Sequence, residues 1–174
     1  KYYLTPQPPQ RFFPAGLLRH MAAPTLFEQS LGEFLLRGLL ETENSLALSS
    51  QIAAGWRGDQ LFSFAGKSFQ TTAWYSSWGS GPEAAAFQRA FQTVAEKRHR
   101  MRLRRGAGKD DATLFADSRG GGFALARHDN IVLYLVTSPE RLAATAEAAW
   151  QDLEVDTAPE ALRFDSAHGR LTCR

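Results

Sequence analysis

The sequence predicts an α+β fold: an antiparallel sheet of four to six strands, an N-terminal helical hairpin, and two more helices packed on the sheet. Three observations lead there. Apolar residues before position 55 recur at helical spacing. Two later stretches, 59–77 and 123–137, read as strand hairpins, and Phe69 to Ser76 alternates with the period of a strand. Each of these stretches then runs into a Ser and Pro-Glu signal that opens a helix, at Ser80-Gly81-Pro82-Glu83 and at Ser138-Pro139-Glu140.

Residues 1–24 carry five prolines and the aromatic pairs Tyr2-Tyr3 and Phe12-Phe13. Proline denies the segment regular hydrogen bonding, so an extended arm is expected, its aromatics packed on the body. Thr25-x-x-Glu28 reads as a capping box that opens a helix with Leu26, Phe27, Leu31, Phe34, Leu35, Leu39 and Leu40. The apolar face is wide, which predicts a largely buried helix. Asn44 is placed to cap a second helix, with Leu46, Leu48, Ile52 and Ala53 inside and Gly55 as its stop.

Asp59 to Phe64 and Ser68 to Ser77 form a predicted hairpin around Gly66-Lys67. Phe69, Thr71, Ala73 and Tyr75 share one strand face, and Gln70, Thr72, Trp74 and Ser76 the other. A helix to about residue 98 buries Phe87, Ala90, Phe91 and Val94. Thr113 to Asp117 is a short strand. Phe123 to Arg127 and Ile131 to Thr137 pair around Asp129-Asn130. The last helix turns Leu142, Ala146, Ala149 and Trp150 inward. The recurrence of hairpin, Ser, Pro-Glu and helix is what a duplicated β-β-α unit or coincidence would give. The expected organisation is an arm over 1–24, one domain over 25–154 and a tail over 155–174.

The chain has 174 residues, 44% of them hydrophobic and 22% charged, which suits a globular domain with a sizeable core. A net charge of +2 is too small to point to nucleic acid, which is not an expected partner. No apolar run approaches a membrane span. Cys173 is the one cysteine and can form no internal disulfide; it reads as a free thiol. The chain opens on Lys1 rather than Met, which reads as a mature fragment, a processed product or an excised piece of a longer chain, from which any leader would already be gone.

The string Ala53-Ala54-Gly55-Trp56-Arg57-Gly58-Asp59 is the densest motif. With Gly32-Glu33 before it, then Trp74-Tyr75-Ser76-Ser77-Trp78 and Ala86-Phe87 to Phe91, it resembles a pattern in uncharacterised bacterial proteins. In those proteins a similar region forms the C-terminal accessory domain behind a metallopeptidase-like half. The resemblance spans roughly residues 1–95. That upstream half carries a His-Glu-x-x-His helix, which holds zinc and positions a general base. This chain has no such motif, and His20, His99, His128 and His168 lie far apart in sequence. The resemblance therefore implies an accessory domain without the catalytic machinery. No metal ligand, cofactor or catalytic residue is carried over.

Other candidate chemistry is weighed residue by residue. Arg57-Gly58-Asp59 has the letters of an adhesion tripeptide, but Gly55 and Gly58 suit a helix stop and a turn into a strand. Gly55, Trp56, Gly58 and Asp59 are read as structural. Ser76, Ser77 and Ser80 have no histidine near in sequence and no nucleophile elbow. Gly120-Gly121-Gly122 precedes a strand, the wrong setting for a phosphate loop. Asp110-Asp111 lie in a polar loop. Two surfaces remain for a partner. Trp74, Tyr75 and Trp78 line either a binding face or an ordinary core. Arg98, Arg100, Arg102 and Arg104 form a basic run, read as a solvated helix end or as a contact for phosphate, anionic lipid or an acidic partner. The expected function is a non-catalytic accessory or protein-interaction domain of an exported bacterial protein. The alternatives are one part of a split zinc metallopeptidase-like hydrolase, with the catalytic half on another chain as partner, and an anionic-surface binder.

Overall fold

The computed structural model describes residues 8–105, 114–118, 121–156, 163–165 and 170–172. The chain order begins β1 (Arg11–Pro14), α1 (Ala15–Met21), β2 (Thr25–Gln29), α2 (Gly32–Glu41), α3 (Leu46–Ala53). It continues β3 (Trp56–Ala65), β4 (Gln70–Trp78), α4 (Gly81–His99), β5 (Arg104–Arg105), β6 (Leu114–Ser118), β7 (Gly121–His128), β8 (Ile131–Thr137) and α5 (Pro139–Ala148). The last strands are β9 (Leu153–Asp156), β10 (Arg163–Asp165) and β11 (Arg170–Thr172).

The fold is α+β around an antiparallel sheet, ordered β2-β3-β4-β8-β7-β6-β5. Six strands make its body, and two-residue β5 adds to one edge. The predicted hairpins β3-β4 and β7-β8 stand side by side, joined by the central pairing of β4 with β8. Each hairpin is followed by a helix, but α4 and α5 cover opposite faces of the sheet.

Each face has its own core because successive strand residues point to opposite sides. One core joins Trp74, Trp78, Phe123, Leu125 and Val132 to Phe87 and Phe91 of α4 and to Leu36, Leu40 and Ile52 of the helical hairpin. The other joins Phe62, Phe64, Ala73, Tyr75, Leu133 and Leu135 to Leu142 and Ala146 of α5, to Ala149 at its C-cap, and to Phe12, Leu17 and Met21. Layers on both faces leave no open sheet surface for the central strands.

Three sequence expectations change. Among the described residues of the arm, β1 is a strand, which pairs with β9 from Arg11↔Asp156 to Pro14↔Leu153. Ala15–Met21 is a helix, with Leu17 and Met21 buried, so the described part of the arm belongs to the domain core. Thr25 to Gln29 is an edge strand against β3 rather than a helix start. Thr25-x-x-Glu28 satisfies a capping pattern by letter, but cross-strand bonding to β3 wins over one local cap. The third change concerns α3: its cap is Ser45, whose hydroxyl accepts from the Leu48 amide at 3.3 Å, while Asn44 donates to the carbonyls of Leu40 and Ala90. No described helix is long and apolar enough to cross a membrane.

Candidate functional site

The Gly-Trp-Arg-Gly-Asp motif builds a buried carboxylate node. β3 pairs with β4 in register from Gly58↔Ser77 onward, but the register shifts between Trp56 and Gly58. This bulge at Arg57 changes the parity of the strand. Trp56 and Asp59, three residues apart, then share the face toward α4; in a regular strand they would point to opposite sides. Asp59 is 3% exposed and its carboxylate accepts five hydrogen bonds. Oδ1 takes the Ser30 hydroxyl at 2.9 Å, the Gly32 amide at 2.9 Å and the Trp56 indole at 3.1 Å. Oδ2 takes the Leu31 amide at 2.8 Å and the Trp74 indole at 2.9 Å.

Two of these donors are amides at the start of α2, which have no partner inside their own helix. Asp59 thus caps α2 from a neighbouring strand, and its charge complements the helix dipole. The same carboxylate ties down two tryptophans of the core. With five donors converging on two oxygens, it has no capacity left for a substrate. Gly58 is fixed from the other side: a Cβ there would lie 2.3 Å from the Gln10 carbonyl oxygen, where the chain before β1 crosses β3. The Gln10 amide donates to the Arg57 carbonyl at 2.8 Å. Burial of the Asp59 carboxylate leaves the Arg57-Gly58-Asp59 tripeptide unable to present itself to an adhesion receptor.

The aromatic candidates are core. Trp74 is 2% exposed, and Tyr75 and Trp78 are fully buried. Trp78 stacks on Phe87 with centroids 4.3 Å apart, and Trp74 meets Phe91 edge-on at 5.3 Å. Tyr75 points the other way and donates to the Ala149 carbonyl at 2.8 Å; burial pushes its hydroxyl far above the ordinary tyrosine range. These three residues are not available to a partner, because both sheet faces are covered. The serines beside them are also structural. Ser76 accepts from the Trp78 indole, Ser77 donates to the Gly58 carbonyl, and Ser80 caps α4.

The basic candidates remain outside, but they separate. Arg98, Arg100, Arg102 and Arg104 are all exposed. Arg100 and Arg102, with Lys97, Thr93, Met101 and Glu96, line an open groove of about 330 Å³ at the C-terminal end of α4. Arg98 acts on another side, where its charge reaches His99 and Tyr134. Arg104 lies in the edge strand β5, opposite Phe115. Glu96 holds the turn between them. Its carboxylate accepts from Gln92 Nε2 at 2.9 Å, the Leu103 amide at 3.0 Å and Arg102 Nη1 at 3.1 Å. Burial by itself would raise the Glu96 carboxyl, but these donors and the Arg102 charge together bring it below its usual range.

Beside this turn, His99 stacks on Phe123 at 4.3 Å and shares a hydrogen bond with the Tyr134 hydroxyl. Burial, and then the charge of Arg98, lower the His99 pKa. Burial pushes the Tyr134 hydroxyl up to about 12. Among the described residues no three His, Cys, Asp or Glu side chains converge as a metal site. His20 instead meets the Thr145 hydroxyl at 3.2 Å, and His128 lies 3.4 Å from the Asp129 carboxylate. Asp110, Asp111, Gly120, His168 and Cys173 lie outside the described residues.

A further surface was missed in the sequence. The wide apolar stripe over 26–48 is only partly used. Leu36 and Leu40 are buried, but Phe34 is 73% exposed and Leu35 57%. Leu26, Phe27, Leu46 and Leu48 are also exposed, and all five residues of edge strand β2 face solvent. The signal was present as an apolar face too wide for one packing partner.

A domain family of unknown function, DUF8575, matches residues 24–148. The chain belongs to the DUF8575 family. The matched span begins just before β2 and ends with the last residue of α5, so it takes in the carboxylate node, the exposed apolar surface and the groove. Among curated proteins no sequence matches this one.

Proposed function

We propose that this domain is a non-catalytic protein-interaction module, and that its partner docks on the β2–α2–α3 surface. One observation carries the reading: three consecutive elements expose six large apolar side chains, Leu26, Phe27, Phe34, Leu35, Leu46 and Leu48. Single exposed apolar residues are ordinary, but a run of them beside an uncovered strand edge is a hallmark of interaction surfaces. No described strand pairs with the outer side of β2, so this edge can accept an added strand, and the helices supply apolar anchors. Support for a non-catalytic role comes from the side chains themselves. Asp59 and the serines near the tryptophans are occupied in holding the fold. The resemblance at Gly55 to Asp59 nominates a metallopeptidase-like chain as the partner, in an exported bacterial assembly.

The test uses the protein purified from its native source after chemical cross-linking. The expected result is one partner held in constant ratio to this chain, with cross-links on α2 and α3. Phe34→Glu with Leu35→Glu should release that partner while leaving thermal stability close to wild type, since both side chains are exposed. Retention of the partner by the double variant, or a wild-type chain without one, would overturn the docking surface. A partner lacking a His-Glu-x-x-His helix would remove the metallopeptidase link alone.

A further inference from the structure

We propose that the groove at the end of α4 binds a phosphoryl group, a site independent of the apolar docking surface. Lys97, Arg100 and Arg102 supply its cations, and Thr93 its hydroxyl. Glu96 also lines the groove, but its charge is turned inward. Its carboxylate is occupied by Gln92, the Leu103 amide and Arg102, and its side chain is 13% exposed. Arg102 spends one nitrogen on Glu96 and leaves a side chain 91% exposed. The rest of its guanidinium fork has no other partner among the described residues and can meet an oxyanion in the two-pronged geometry that suits phosphate. Lys97 is bridged to Glu43 at 2.7 Å, and 70% of its side chain stays exposed. Met101 gives one apolar wall for the organic portion of a ligand.

The backbone adds a separate observation. Arg100 closes α4 in the left-handed conformation, φ 54° and ψ 37°, its amide donating to the carbonyls of Glu96 and Lys97. Glycine holds this position without strain, and an arginine does not. Ala22 closes α1 in the same conformation, so the strain alone marks nothing. At Arg100 it coincides with a groove that the side chain lines. The turn is kept by Glu96, through the Leu103 amide, and by the Met101 amide donating to the Glu96 carbonyl at 3.0 Å. Strain tolerated where a charged side chain meets a cleft is a pattern of binding sites.

This reading makes Arg100→Gly diagnostic. The variant relieves the backbone, so the urea midpoint should stay level or rise. If the side chain binds phosphate, affinity should fall roughly tenfold, the loss expected for one charge-assisted contact. Two probes separate the sources of the group: inorganic pyrophosphate by titration calorimetry, and sedimentation with phosphatidic acid vesicles against neutral phosphatidylcholine vesicles. One-to-one binding of pyrophosphate, weakened in Arg100→Gly and Arg102→Gln, supports the site with a free small phosphate as its ligand. Binding to phosphatidic acid vesicles only, lost in the same variants, supports it with a lipid headgroup as the source. Binding of neither probe, or binding that both variants retain in full, overturns the proposal.

Discussion

Replacing Asp59 with alanine removes the acceptor for five donors at once. The indole N–H groups of Trp56 and Trp74 are the costly ones, because both side chains are buried and their carboxylate partner is 3% exposed. A buried donor left without a partner costs about 1–3 kcal/mol. The Leu31 and Gly32 amides and the Ser30 hydroxyl lie nearer to solvent and recover some water, so losing this helix cap adds about 1 kcal/mol. The expected destabilisation is about 4 kcal/mol. For a chain of this size that is a fall of roughly 10 °C in Tm. Asp59→Asn keeps one oxygen but turns an amide toward donors, and should lose about 2 kcal/mol. Urea unfolding followed by tryptophan fluorescence reads both, as a shift in midpoint at constant slope. An alanine variant within ~1 kcal/mol of wild type would show that the carboxylate does not hold these five donors.

Gly58→Ala should destabilise markedly, because the new methyl meets backbone atoms of Gln10 at 2.3 and 2.5 Å; circular dichroism melts should show it, and an unchanged Tm would mean that the chain before β1 is not seated on β3. The lowered pKa of His99 means that the folded state disfavours its cation. Stability is therefore full above the ordinary value of 6.5 and falls as pH drops below it, through the lower folded value. His99→Gln should flatten this part of the urea-midpoint profile, and a profile unchanged by the substitution would assign the slope to another group. Glu96 acts in a lower window: its lowered pKa holds stability above the ordinary 4.5, and that share is lost as pH falls through the folded value. Glu96→Gln should remove this lower slope and leave the upper one in place.

Much of the architecture was legible because it rests on local signals. The alternation at Phe69 to Ser76 fixed a strand, and Ser80 with Pro82 marked the start of α4. Ser138 and Pro139 marked α5 in the same way. The segment at Thr25 to Gln29 was misread because a capping pattern and an edge strand compete, and only the position of β3 decides between them. The tryptophans were ambiguous for a related reason. Adjacent residues on a strand must face opposite sides, but nothing local says whether each side is covered. Here α4 covers the Trp74 side and α5 the Tyr75 side.

The candidate sites divide along the same line. The basic run was visible as a run, since exposure of charged side chains needs no tertiary partner. Its resolution into a groove at Arg100 and Arg102, apart from Arg98 and Arg104, required the fold back of residues 101–103 onto Glu96. The spacing of Trp56 and Asp59 was written in the chain, but its meaning depended on a bulge that puts the pair on one face. Periodicity and turn chemistry acting over a few residues are enough to specify α3, the β3-β4 and β7-β8 hairpins, α4 and α5, but not α1 or β2. Which apolar faces are covered and which charges converge follows from the tertiary packing of these elements. Those outcomes depend on contacts between residues far apart in the chain, and local patterns do not encode them.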